Sequence, residues 1–374
     1  MTTIHLMEMM DLYLLDEMLS KGYVSVTEHP TLGLRILNYS PTAQYERVWN
    51  EVTTQCRGLI VDEGNMVVAR PFSKFFNYGE TDQYDELPKG DPVVSEKMDG
   101  SLGIIYTYQG HTAVATRGSF ASDQALWATE YLRTNFPDFV QPEGVTTLVE
   151  IIYPQNRIVV DYKDAEGLWL LGAIDNATGA DLPMPYADWW QGEHWWTGPV
   201  ASMFPWDLDK AIRAAQGTAF DDGEGVVLCW PRTDAPSFRL KVKHPRYVEL
   251  HRIVTGLSTR TVHEALANDT FDDLIANVPD EFHPWVRNVA SDLTQEFTQI
   301  LQDVEVQWDA AQYAAGPFYT RAELAEQIKK TTYPGLCFAL EDGKDIAPRI
   351  WSMIVPDRVT AMIIDNDEQE TPCN

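Results

Sequence analysis

The stretch VSEKMDGSLGIIY, Val94–Tyr106, sets a lysine two residues ahead of an Asp-Gly pair. Lys97 follows the short run Pro92–Val94, and Asp99-Gly100 precedes the β-forming residues Leu102–Tyr106. Asp-Gly between two such runs predicts a hairpin-like turn. A surface lysine beside a turn needs no special account. A lysine held at the rim of a sheet and facing a pocket is a candidate nucleophile, because a deprotonated amine attacks electrophilic centres directly. Such a lysine must first lose its proton, and nearby cations or desolvation lower the barrier to that loss.

The elements that must position Lys97 are mostly strands. Through about residue 250 the chain carries the short β-like runs LGLRILNYS, GLIVDEGNMVVARPF, DPVVSEKM, LGIIYTY, HTAVATRG, TTLVEIIY, RIVVDY, LWLLGAI, GEGVVLCW and SFRLKVK. Turn residues such as Asp62-Glu63-Gly64-Asn65 and Gln109-Gly110 join several of them, the pattern of a mostly antiparallel sheet. Helices are expected over Met7–Leu19, Ser122–Arg133 and about Trp206–Gln216. Beyond residue 250 the texture turns helical. Thr261-x-x-Glu264 reads as a capping box, Thr320 as a cap for RAELAEQIKK, and Leu293, Phe297, Ile300, Leu301, Val304 and Trp308 follow helical spacing. The expected fold class is therefore α+β, with an antiparallel-sheet domain over residues 1–250 and an all-helical domain over residues 251–374. The pairs Trp189-Trp190 and Trp195-Trp196 read as local core within an insertion, and DNDEQETPCN as a frayed acidic tail.

Composition narrows the function classes. The 374 residues are 44% hydrophobic and 11% aromatic, enough for packed cores. The formal net charge of −28 argues against nonspecific coating of nucleic acid but leaves room for a local basic cleft. No long apolar run suggests a membrane span, and the acidic N-terminal segment does not read as a secretory signal. Cys56, Cys229, Cys337 and Cys373 form no CxxC pair, which fits a reducing cytoplasm, that of a host if the chain is viral, and gives no zinc signature. No metal spacing emerges among His111, His244 and His251.

Lys97 lies in EKMDGS, which matches the KxDG motif of the covalent nucleotidyltransferases. It is followed in order by Glu150 in TLVEIIY, Glu224-Gly225 in GEGVVL, and Lys241 and Lys243 in LKVK. That order resembles the later motifs of the superfamily. With CRGLIVD (Arg57), ARPFSKFFNYGE (Lys74, Phe76), TRGSFASDQAL (Arg117) and YPQNRIV, the chain more closely resembles phage-type RNA ligases of the tRNA-repair class, the RNA ligase 1 family, over about residues 30–250. Position 117 is arginine where that family is expected to carry lysine, a change of cation geometry.

The resemblance implies an ATP-dependent RNA ligase. ATP would adenylylate Lys97, AMP would pass to an RNA 5′-phosphate, and a 3′-hydroxyl would displace it. The implied substrate is RNA with such ends, typically a nicked tRNA anticodon loop, with an end-healing kinase/phosphatase acting upstream. By the same resemblance Tyr39 and Glu150 hold the nucleoside, and Lys241 and Lys243 meet the α-phosphate. Arg57 and Lys74 orient pyrophosphate or the incoming RNA phosphate. Phe76, Asp99, Gly100, Arg117 and Gly225 serve the RNA step or support the site. Glu224 would bind Mg²⁺, or Mn²⁺ in its place, since carboxylate and phosphate oxygens suit a hard cation. Asp272 in FDDL is a weaker metal candidate, whose first reading is a plain surface acid. Arg157 and Arg246 extend the basic face. The rival readings are another covalent nucleotidyltransferase, a DNA ligase or capping enzyme, and a noncatalytic RNA- or nucleotide-binding relative. The first would be expected to carry five strands of an OB-fold after LKVK, and the second to lose Lys97 or the K-x-K pair.

Overall fold

The computed structural model describes residues 4–80, 87–156, 158–182, 196–217, 223–278, 282–357 and 359, without the side chains of 252–255. The chain falls into two compact units, Met1–Val254 and Thr255–Asn374. The first is built on three sheets. One has the order β1-β2-β3-β4, formed by Val24–Glu28, Leu34–Tyr39, Arg57–Asp62 and Val67–Ala69. The second has the order β10-β9-β7-β8, with β7 Ser101–Tyr108, β8 His111–Ala115, β9 Val145–Ile152 and β10 Gly167–Asp175. The third has the order β11-β6-β12-β13-β5, with β5 Phe76–Asn77, β6 Val93–Lys97, β11 Met203–Phe204, β12 Gly225–Trp230 and β13 Phe238–Lys243. All these pairings are antiparallel except β13 with β5.

The packing follows the alternation of side chains along strands. Leu34, Ile36, Ile60 and Ala69 of the first sheet meet Ile104, Tyr106, Ala115, Leu148 and Ile174 of the second. Across the second sheet, Ile105, Val149, Ile151 and Leu168 pack on Ala128 and Leu132 of the helix Asp123–Asn135. β9 is buried at every position, so it reads as a continuous apolar run interrupted by Thr146, Thr147 and Glu150. In the third sheet Val94, Val226, Leu228, Leu240 and Val242 lie under Ala211 and Ala215 of the helix Leu208–Gln216. Each buried aliphatic side chain of this kind contributes about 1.5–3 kcal/mol. The alternation leaves Ser95, Lys97, Lys241 and Lys243 to the opposite face of that sheet.

Several local expectations change. Asp99-Gly100 does not close a hairpin: β6 pairs with β11 and β12, while β7 pairs with β8 and β9. The turn carries the chain from one sheet to another. Its residue types signal the reversal, but nothing local says where each flanking strand finds its partner. RIVVDY forms no strand over its described residues, because Asp99 takes the Val159 and Val160 N–H groups that a ladder would use. The N-terminal helix divides into a 3₁₀ turn Leu6–Glu8 and a helix Leu12–Ser20 capped by Asp11. The helix near residue 206 starts at Leu208, with Asp207 as its cap.

In the second unit the helices are Thr259–Ala267, Phe271–Asn277, His283–Ala315, Arg321–Ile328, Pro334–Glu341 and Ala347–Met353. Thr320 caps its helix reciprocally with Glu323. Ser258, rather than Thr261, caps Thr259–Ala267, and Glu264 pairs with Arg260 instead. An earlier serine suited to the N-cap displaces the later signature by one turn. Trp196 is buried, stacks on Phe136 at 4.7 Å and donates to the Pro199 carbonyl, a local core as expected. Trp189, Trp190, Trp195, Arg157 and the DNDEQETPCN tail lie outside the described residues. Among the described residues no helix is long and apolar enough to cross a membrane.

Candidate active site

Lys97 ends β6, directly beside Gly225 of β12, which in turn faces Lys243 of β13. Cross-strand partners share one face of a sheet, so the register sets Lys97 and Lys243 on either side of a residue with no side chain. Glu224, one residue before β12, fills the space between them. Its carboxylate lies 2.6 Å from Lys97 Nζ and 3.7 Å from Lys243 Nζ. Its backbone is fixed by the His244 N–H, which donates to the Glu224 carbonyl at 2.8 Å. Glu224 is only 4% exposed, and two lysines offset its buried charge. Gly225 has φ +144°, and a Cβ there would sit 2.0 Å from the Val242 carbonyl oxygen. Lys241 lies in the next same-face row, opposite Val227 and Asn77.

The turn after Lys97 is held by its aspartate. Asp99 is 3% exposed, and its carboxylate accepts from the N–H groups of Val159 and Val160 at 2.9 and 2.7 Å and from the Tyr247 hydroxyl at 2.7 Å. The Asp99 N–H donates to the Tyr162 hydroxyl. Asp99 is thus a support that aims the lysine. The Gly100 N–H donates to Glu150 Oε1 at 3.0 Å, and a Cβ on Gly100 would meet the Ile151 carbonyl oxygen at 2.5 Å. Burial pushes the Glu150 carboxyl up to about 8. Lys97 and the Gly100 N–H oppose that push, while Glu224 and Asp99 add to it. Trp169 is the cross-strand partner of Glu150 and shares its face; nothing local marks it, because LWLLGAI has the pattern of an ordinary buried strand.

A second group gathers around Tyr39, at the end of β2. The Arg117 guanidinium donates to the Tyr39 hydroxyl at 2.7 Å and lies 5.0 Å from its ring centroid. Arg57 begins β3 and donates to the Phe72 carbonyl. Its burial lowers the guanidinium pKa, and the Tyr39 hydroxyl opposes that. Gly58, with φ +93°, lets the Arg117 backbone approach: a Cβ there would meet Arg117 Cα at 3.0 Å. Lys74 Nζ lies 5.6 Å from the Tyr39 ring centroid and 5.3 Å from that of Phe76. Tyr39 therefore sits among three cations.

Asp272 belongs to the second unit, exposed in the first turn of Phe271–Asn277. There its charge complements the helix N-terminus. Among the described residues no three His, Cys, Asp or Glu side chains gather as a ready metal site. The donor chemistry still fits a Mg²⁺ that draws most of its ligands from phosphate and water, because Glu224 presents a buried carboxylate, a hard oxygen donor.

The chain is 22% identical over 371 residues to an RNA ligase of Rhodothermus phage RM378, covering 81% of this chain and 80% of that one. It is 27% identical over 284 residues to a protein of Autographa californica nuclear polyhedrosis virus described as a bifunctional polynucleotide kinase/RNA ligase, covering 68% of this chain and 38% of the length of that relative. Among solved structures, an archaeal ATP-dependent RNA ligase superposes with a TM-score of 0.43 at 17% identity, covering 69% of this chain and 65% of the other. The family model for RNA ligase matches residues 55–247, from just before Arg57 through Lys97 and Glu224 to just beyond Lys243. More than half of the chain, with the whole lysine–glutamate–lysine row inside it, thus carries the family pattern, and the protein belongs to the RNA ligase family.

Proposed function

We propose that this protein joins RNA ends with ATP, through an adenylate carried on Lys97. The observation that carries the reading is the row Lys97–Gly225–Lys243 with Glu224 set against both lysines. Lys97 Nζ is fixed on the sheet face where Lys241 and Lys243 can neutralise an α-phosphate. In the first step Lys97 Nζ, having lost a proton, bonds to the α-phosphorus, and the bond from that phosphorus to pyrophosphate breaks. AMP then passes to the RNA 5′-phosphate. Attack by a 3′-hydroxyl forms the phosphodiester and releases AMP. Glu224 holds Lys97 in place as an ammonium before nucleotide arrives. Mg²⁺, bound by Glu224 and phosphate oxygens, would supply charge neutralisation at the reacting phosphate.

Glu150 and the Gly100 turn fit a nucleoside site next to Lys97. Arg57, Lys74 and Arg117 fit the outer phosphates or the RNA phosphate. The natural substrate we infer is broken RNA with 5′-phosphate and 3′-hydroxyl ends, a nicked tRNA anticodon loop in particular. An end-healing kinase or phosphatase would supply those ends, and the relative described as a kinase/ligase supports that pairing. The helical unit is proposed to select the RNA. Incubation with radiolabelled ATP and Mg²⁺, followed by a denaturing gel, is expected to show a covalent adduct that Lys97→Ala abolishes while circular dichroism stays unchanged. Persistence of the adduct in folded Lys97→Ala would remove Lys97 from the mechanism.

A further inference from the structure

Trp49 belongs to none of the motifs considered so far, yet it is the ring nearest Lys74. Lys74 Nζ lies over three rings, 5.0 Å from the Trp49 centroid, 5.3 Å from Phe76 and 5.6 Å from Tyr39. The rings brace one another edge to face. Trp49 stands 5.1 Å from Tyr39 at 88° and 5.5 Å from Phe76 at 75°. Such pairs are favourable geometries in their own right, which makes the cluster stiff. We propose that Trp49 is a positioning residue: with Tyr39 and Phe76 it forms an aromatic cage that holds the Lys74 ammonium where a polyphosphate meets it.

The backbone around Trp49 is built to fix that ring. Arg47 adopts φ +56°, a left-handed turn. Asn50, the next residue after Trp49, caps the helix Glu51–Gln55 by accepting from the Val52 and Thr53 N–H groups. Thr53 Oγ1 donates to the Val48 carbonyl, on the other side of Trp49. The Lys74 N–H donates to the Thr54 carbonyl at 2.7 Å. The segments bearing ring and ammonium are thus tied together through the same short helix. The cage is also tied to the lysine row, because Phe76-Asn77 is the strand that runs parallel to Leu240-Lys241. Quadrupolar rings attract a cation, so the cage orders Lys74.

This inference rests on the reading that Lys74 serves phosphate, and its test is independent of Lys97 chemistry. Binding of inorganic pyrophosphate in the presence of Mg²⁺ would be measured calorimetrically for wild type, Trp49→Leu, Trp49→Phe, Lys74→Met and the double variant Trp49→Leu/Lys74→Met. Urea midpoints would be recorded for each. Trp49→Leu should weaken binding on the order of 2- to 30-fold, the range of cation–π attraction. Trp49→Phe should recover most of that loss. In the Lys74→Met background the same Leu substitution should change binding less than about 2-fold, the non-additivity expected of a direct pair. Equal losses in both backgrounds would make Trp49 a packing residue and overturn the cage. So would unaltered binding in Trp49→Leu, or no pyrophosphate binding by wild type. A wild-type chain that binds pyrophosphate with this coupling but forms no adduct with ATP would keep the cage and sink the ligation reading instead.

Discussion

Burial pushes the Glu150 carboxyl from its ordinary value of 4.5 up to about 8, so the folded chain keeps a proton there that the unfolded chain has released. The sign follows directly. The contribution of this group to stability is complete below about 4.5 and is lost as pH rises through about 8. Glu150→Gln mimics the protonated form and still offers Gly100 an acceptor. We expect wild type to lose stability relative to Glu150→Gln between pH 5 and pH 8, at up to roughly 1.4 kcal/mol per pH unit. Urea midpoints at the two pH values measure it, and parallel behaviour of the two chains would show that the carboxyl titrates normally. Asp99 makes the same point about how far a sequence can be read at this scale. Its place in the turn is legible from Asp-Gly, but its partners Tyr162 and Tyr247 lie 63 and 148 residues away. Trp49 likewise gives no local sign of its lysine, because cation–π pairs have no spacing rule.

At the scale of elements, ordered motifs anticipated which strands matter. KMDGS, GEGVVL and LKVK are the three strands and loops that the structure sets side by side, and their types, β-branched runs ending in charged residues, show why they are strands. What the sequence left open was pairing, since strand propensity is local and register is not. The hairpin expected at Asp99-Gly100 failed for that reason. Gly225 offers the sharpest test of the pairing observed. At φ +144° with the Val242 oxygen in the way, Gly225→Ala must push β12 away from β13. We expect a loss of about 2–4 kcal/mol in urea unfolding together with loss of the Lys97 adduct. An alanine variant with wild-type stability and adduct yield would mean that Lys97 and Lys243 do not flank position 225 as described.

For the whole molecule, charge sets two opposing responses to salt. With 56 acidic and 28 basic residues, the acidic surface repels itself, and screening should stabilise the fold. The RNA binding proposed for Arg57, Lys74, Arg117, Lys241, Lys243 and Arg246 should weaken over the same range as condensed counterions are no longer released to advantage. Melting temperature and affinity for a nicked anticodon stem-loop, followed from low to high salt, should therefore move in opposite directions. Arg57→Ala and Lys74→Ala should each flatten the affinity slope by up to about one unit. Slopes equal to wild type in both variants would place the RNA elsewhere on the chain. Net charge was readable from composition, whereas the gathering of three cations around Tyr39 was not, because it depends on segments from positions 39 to 117 meeting in space.

The sheet that holds Lys97 has a bearing on when during synthesis the protein becomes reactive. β6 is complete once residue 97 has emerged, but its central partner β12 begins at Gly225 and the lysines of β13 end at Lys243. For well over a hundred residues of elongation Lys97, the proposed nucleophile, has neither its carboxylate nor its companion cations. Pairings of such long sequence separation form late, since loop closure must precede any contact energy. A ribosome-stalled chain ending between β6 and β12 should thus take no label from ATP, and labelling should begin only after Lys243 clears the exit tunnel. On the proposed mechanism, reactivity is timed by topology: half-made copies should not consume nucleotide.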